Sequence, residues 1–283
     1  MPPLLKANAN VTVARRPTHH DTMASSDELA RRLIVCVAGG PEEEPLRASL
    51  TSALGGGARV LDFTRALCGA QGSLFARLSD EDLEGVWTVL MSLVSGLNLA
   101  EQDAATEMIA GALTSASDKP LLRLRIAAHV YNAVGEAQHK EAKLEVLKKL
   151  ISFASEVRLM EPLQTFLAGA AGWPAKWGLS AAQAGSLFLL ISQCMERYGA
   201  AEEAQSFLIR YLATLEGASA AALAAARPWA KTAALNFVKA PAVSQKSNLA
   251  RLAAVRPPPP PPPPLPRPPR SLFVAAVLPR MRA

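Results

Sequence analysis

Aromatic residues make up only 5% of this 283-residue chain, and β-branched residues are sparse. Sheets draw heavily on those two classes, so their shortage argues against a β-rich fold. Cysteine is scarce too. Cys36, Cys68 and Cys194 form an odd, widely spaced set in apolar surroundings, which argues against a disulfide framework and suits a reducing compartment. No apolar run reaches the ~20 residues needed to span a bilayer. No apolar stretch follows the first basic residues, so the start is not a secretory signal. Acidic residues are missing from both ends: residues 1–20 carry Lys6, Arg15 and Arg16, and residues 256–283 carry Arg256, Arg267, Arg270, Arg280 and Arg282. Without those eight, 22 basic residues face 24 acidic ones, a balance of −2. The net charge of +6 therefore belongs to the tails, and the body is not expected to bind RNA directly.

Motifs for chemistry are missing as well. The Gly55-Gly56-Gly57 loop lacks the Gly-Lys-Ser/Thr ending of a phosphate-binding loop, and Val60 stands where a dinucleotide fingerprint needs a small residue. Gly185-Ser186 lies mid-helix, outside any nucleophile elbow. His19, His20, His129 and His139 do not form a ligand set, and no cysteine or acid cluster completes one. No catalytic, cofactor-binding or metal-binding residue is expected.

What the chain has is alanine and leucine, which lose little side-chain entropy in a helix. From Ser79 onward the apolar spacing is helical. Ser79-Asp80-Glu81-Asp82 offers a capping hydroxyl and acids suited to the helix dipole, followed by Val86, Val89, Leu90, Leu93, Val94 and Leu97. Further helices are predicted over 101–114, 121–134 (with Pro120 in the first turn), 141–157 and 159–171. Lys143, Lys148 and Lys149 are expected to face water. Trp173 to Trp177 is expected to be a linker. Ser180-Ala181-Ala182-Gln183 is a capping box before a stripe ending at Tyr198. Gly199 and Gly217 punctuate the next two helices, the last running from about Ser219 to Val238 with a kink point at Pro228. Helix pairs about 40 residues apart fall within the range of helical-repeat arrays, though no repeat consensus is visible. Residues 24–78 are ambiguous: Leu33-Ile34-Val35-Cys36-Val37 fits a strand or a helix end.

Three segments follow. Residues 1–23 are read as a disordered or upstream extension, with a transit peptide as the alternative. Residues 24–255 form the helical domain. Residues 256–283 are a disordered Pro/Arg-rich tail, in which eight consecutive prolines predict polyproline II. Arg256-x-x-Pro259-x-x-Pro262 suits a polyproline-reading groove. The tail's composition also matches translated non-coding sequence.

Several stretches carry a resemblance. Pro120-Leu121-Leu122-Arg123-Leu124-Arg125-Ile126 with Tyr131-Asn132 resembles an opening helix of the subunit M family of eukaryotic translation initiation factor 3. Val86 to Leu113 is similar to the helix pair before it. Lys176-Trp177-Gly178-Leu179-Ser180 and the helices through Tyr211-Leu212 are similar to that family's Trp-containing linker and following hairpin. Ala234-Leu235-Asn236-Phe237-Val238-Lys239-Ala240-Pro241 is the strongest short stretch of similarity. The resemblance covers roughly residues 80–255. It implies an all-α, right-handed antiparallel helical-repeat array of the PCI type, which in that family precedes a winged helix. After Val255 the expected winged helix gives way to the proline tail, so the chain reads as cut short before it.

The implied role is a non-catalytic, cytoplasmic scaffold in translation initiation and preinitiation-complex formation. Its partners would be other initiation factor 3 subunits and, indirectly, the small ribosomal subunit, with no membrane. Trp173, Trp177, Phe237, Leu249 and Leu252 are the candidate partner surface; the two tryptophans could equally pack the linker onto adjacent helices. The alternatives are a PCI subunit of a proteasome-lid or COP9-signalosome-like complex, or a generic helical-repeat adaptor. A nucleotide-dependent enzyme built on mixed α/β structure over residues 30–70, and RNA binding through the basic tails, also stay open.

Overall fold

Where apolar residues recur every three or four positions, the chain forms helices, and every element among the described residues is one. The computed structural model describes residues 22–40, 43–55, 60–135, 138–239 and 252–255. Four helices precede Ser79: α1 (Thr22–Val37), α2 (Glu44–Gly55), α3 (Val60–Gly69) and α4 (Gln71–Arg77). The ambiguous run at Leu33–Val37 is therefore the last turn and a half of α1. Ala30, Leu33, Ile34 and Val37 line its buried face, while Val35 is 71% exposed. The run looked strand-like because the outward Val35 and Cys36 made it continuous. The mixed α/β content that a nucleotide fold would need is not found among the described residues of 30–70.

The middle helices are α5 (Asp80–Val94), α6 (Leu99–Leu113), α7 (Pro120–Ala133) and α8 (Lys140–Glu156). Ser79 caps α5 by accepting from the Asp82 N–H at 3.1 Å, and Asn98 caps α6 through the Glu101 N–H at 3.0 Å. Pro120 opens α7, where its missing N–H costs nothing. The short α9 (Glu161–Leu167) and a 3-10 turn (Ala170–Gly172) lead into α10 (Trp173–Trp177). The expected linker is thus one helical turn, started by Pro174 and stopped by Gly178 at φ 61°. The last three are α11 (Ala181–Tyr198), opened by the Ser180/Gln183 capping box, α12 (Ala201–Ala213) and α13 (Ala220–Lys239). Pro228 lies inside α13.

Packing partners fall into two rows. α1 packs on α5 and α5 on α7; α3 packs on α6, α6 on α8 and α8 on α11. One contiguous core runs from Ala30 to Phe207. A smaller second cluster joins Leu208, Leu212, Ala226, Ala230, Ala233, Leu252 and Ala254 where α12 meets α13.

The C-termini of α1, α4, α6 and α7 share one device. Their last carbonyls, which have no partner within the helix, accept hydrogen bonds from basic side chains of later elements. Arg47 Nε donates to Ala38 O at 2.9 Å, and Arg77 Nη2 to Val37 O at 3.1 Å. Lys119 Nζ reaches Leu78 O at 3.2 Å. Arg123, with no exposed surface, donates to Ala112 O, Leu113 O and Asp118 O while stacking 3.7 Å above the Phe75 ring. Lys143 Nζ donates to Val134 O at 2.7 Å and sits 4.6 Å from the Tyr131 ring centre. Lys143 is therefore buried and does not face water. Lys149 is also engaged, donating to Glu107 O at 3.0 Å, and Lys148 pairs with Glu145 at 2.7 Å.

The second half closes its helices with glycine. Gly199 ends α11 at φ 92°. A Cβ there is disfavoured, so Gly199→Ala should cost about 1–2 kcal/mol. Gly85, mid-helix in α5 with open space where a Cβ would point, should behave oppositely, Gly85→Ala gaining about 0.5–1 kcal/mol. Denaturant unfolding of both variants checks the pair.

Candidate partner surface

Trp173 and Trp177 stack at 5.3 Å with their planes 17° apart. Trp173 lies 4.7 Å from Phe166, which meets Tyr131 edge-on at 5.8 Å. The single turn of α10 sets this geometry, because four residues along a helix return to the same face. The stack wedges α10 onto α7 and α9, leaving Trp173 4% and Trp177 3% exposed. These two are consequently not an accessible partner surface; they pack α10 into the core.

Leu252 is a second correction. It is 9% exposed and belongs to the α12–α13 cluster, so it closes that cluster instead of offering itself outward. Leu249 lies outside the described residues. Phe237 is 36% exposed, and its neighbours Leu235 and Val238 are 49% and 76% exposed. Ala226, Ala230 and Ala233 form the buried stripe of α13; Leu235 and Val238 lie away from it, while Phe237, four residues after Ala233, continues it where the burial runs out. The end of α13 thus leaves three apolar side chains exposed, Leu235 and Val238 on the outer face and Phe237 at the end of the buried stripe. Of the expected surface, Phe237 alone is placed there; Leu235 was legible in the same stretch as a large apolar residue beyond the buried alanines.

The chemistry available elsewhere is limited in kind. A cavity of about 300 Å³ between α5, α6 and the α7–α8 turn is lined by residues including Gln102, Thr106 and His139. His139, just ahead of α8, places Nδ1 2.6 Å from Asp103 Oδ1. Gln102 Nε2 is spent on the carbonyls of Ser95 and Leu97. Burial pushes the Cys68 thiol up to about 12. Burial also raises Cys194, against smaller lowering effects from the Ser155 hydrogen bond and Arg197. Both are poor nucleophiles near neutral pH. Among the described residues no group of three or more His, Cys, Asp and Glu could hold a metal ion, and no helix is long and apolar enough to cross a membrane.

No family model matches the chain, and no curated protein matches it.

The tryptophan stack predicts a specific pattern of substitution. Trp177 Nε1 is buried without a hydrogen-bond partner among the described residues, so losing it forfeits little. Trp177→Phe should cost well under half of Trp177→Ala, which should lose about 3–5 kcal/mol. Thermal unfolding followed by circular dichroism separates the two.

Proposed function

We propose that this chain is a non-catalytic scaffold subunit of eukaryotic translation initiation factor 3, working in translation initiation and preinitiation-complex formation in the cytoplasm. The observation that carries this reading is the exposed apolar end of α13, where Leu235, Phe237 and Val238 all reach solvent. It falls within Ala234 to Pro241, the stretch that most resembles the subunit M family. Two rows of packed helices support it, since such arrays bury one face between neighbours and leave the rest as an extended contact surface. On this reading the helices form a right-handed PCI-type array, and the patch lies where a neighbouring subunit docks. Docking there would bury the exposed side chains of α13, and buried apolar anchors dominate interface energies.

The test is affinity purification of the tagged chain from cultured cells, followed by mass spectrometry and gradient sedimentation. Initiation factor 3 subunits should be recovered, and part of the chain should sediment with small ribosomal subunits. Leu235→Asp with Val238→Asp should cut that recovery by on the order of tenfold while the melting temperature stays unchanged. Recovery of proteasome-lid or signalosome subunits, or of no initiation factor subunit, would overturn the assignment.

A further inference from the structure

α13 contains no acidic residue, and none follows Glu216 anywhere in the chain. Arg227, Lys231, Leu235 and Lys239 recur at four-residue spacing, and Val238 stands three residues after Leu235. These five side chains therefore share one flank of the helix, away from Ala226, Ala230 and Ala233. All five are exposed. α12 meets the alanine side through Leu208 and Leu212, so the outer flank plays no part in that packing.

The charge on this flank is unmatched. Arg32, Arg65 and Lys148 each pair with an acid one turn away on their own helix. Arg227, Lys231 and Lys239 have no ion-pair partner among the described residues. Like charges at helical spacing repel one another, so the flank is relieved by carboxylates from outside α13. The chain's own ends do not supply them, since residues 1–20 and everything beyond Glu216 lack acids.

Spacing and chemistry narrow the occupant further. Four residues of helix rise about 6 Å, so a second helix lying alongside, with carboxylates every four residues, repeats in step with these cations. Leu235 and Val238 lie among the cations, and burying aliphatic surface is favourable only against other apolar groups. A phosphate backbone offers none, and the flank has no aromatic ring on which a base could stack. We propose that the outer flank of α13 docks an acidic amphipathic helix of another protein. Its carboxylates would meet Arg227, Lys231 and Lys239, and its Leu, Ile or Val side chains would cover Leu235 and Val238. This rests on the reading of α13 as a docking surface, and not on which complex the partner belongs to.

The test purifies the full tagged chain with its partners from cultured cells and treats the complex with a water-soluble carbodiimide. That reagent joins a lysine amine to a carboxylate as an amide and takes up the water lost. Mass spectrometry should find Lys231 and Lys239 linked to Asp or Glu of a partner stretch that also holds Leu, Ile or Val at three- and four-residue spacing. Lys231→Glu with Lys239→Glu should cut recovery of that partner on the order of tenfold at an unchanged melting temperature. Lys231→Arg with Lys239→Arg should keep it. Such a link to a protein outside initiation factor 3 would support this inference while overturning the assignment of the complex. Initiation factor 3 subunits recovered without a link at either lysine, and equally by the Glu variant, would leave the assignment standing and overturn the inference. Links only to carboxylates of this chain or a second copy of it would also overturn it. So would partner recovery that ribonuclease abolishes, which would give the flank to RNA.

Discussion

Unsatisfied carbonyls at helix C-termini are the constraint on which the first half of this molecule depends. A helix end carries partial negative charge and four acceptors without an internal partner. In a stack of short helices those ends fall beside neighbouring helices, where water cannot serve every one of them. Arg47, Arg77, Lys119, Arg123 and Lys143 supply donors from elsewhere in the fold. Each cap is therefore also a tie between elements: Arg77 links the end of α4 to α1, Arg123 links α7 to α6, and Lys143 links α8 to the end of α7. The cost is desolvation. Burial lowers the Arg123 pKa, and the nearby Asp118 carboxylate opposes that shift by charge and hydrogen bond. The Phe75 ring beneath the guanidinium replaces part of its lost hydration.

The second half solves the same problem differently. Gly178, Gly199 and Gly217 take left-handed conformations at or just beyond helix ends, so fewer side chains cross between elements. The final α12–α13 contact is built largely from alanines and the short Leu252–Val255 turn. Small side chains bring helices close but bury little area each, and burial scales with apolar surface removed from water. The array is thus cross-tied where it begins and more lightly packed where it ends. The exposed Leu235, Phe237 and Val238 lie at that lighter end, where a docking partner would add the burial that α13 lacks.

The local punctuation was legible in the sequence. Ser79, Pro120, the Ser180/Gln183 box, Gly199 and Gly217 all mark ends found in the structure, because caps depend on residues a few positions apart. What escaped depends on distant contacts. Lys143 reads as a solvent-facing lysine on helical periodicity, yet a carbonyl nine residues earlier and the Tyr131 ring draw it inward. Trp173 and Trp177 read as packing in preference to anchors, and they are buried, but nothing local says that Phe166 and Tyr131 are what they meet. Leu252 looked outward for the same reason: its partners on α12 and α13 are at least 19 residues away. Of the proposed surface, only the α13 residues were readable, as large apolar residues following a stretch of alanines.

The two buried cations, Arg123 and Lys143, tie helices together more strongly than the surface pairs do. Equilibrium denaturant unfolding of Arg123→Met tests it, with Arg125→Met as the companion from the same helix. Arg125 pairs with Glu84 while half exposed, so its loss should cost no more than about 1 kcal/mol. Arg123→Met keeps the apolar bulk but strands the carbonyls of Ala112, Leu113 and Asp118, and should cost about 3 kcal/mol or more. Equal, small losses in the two variants would contradict a special role for the buried guanidinium.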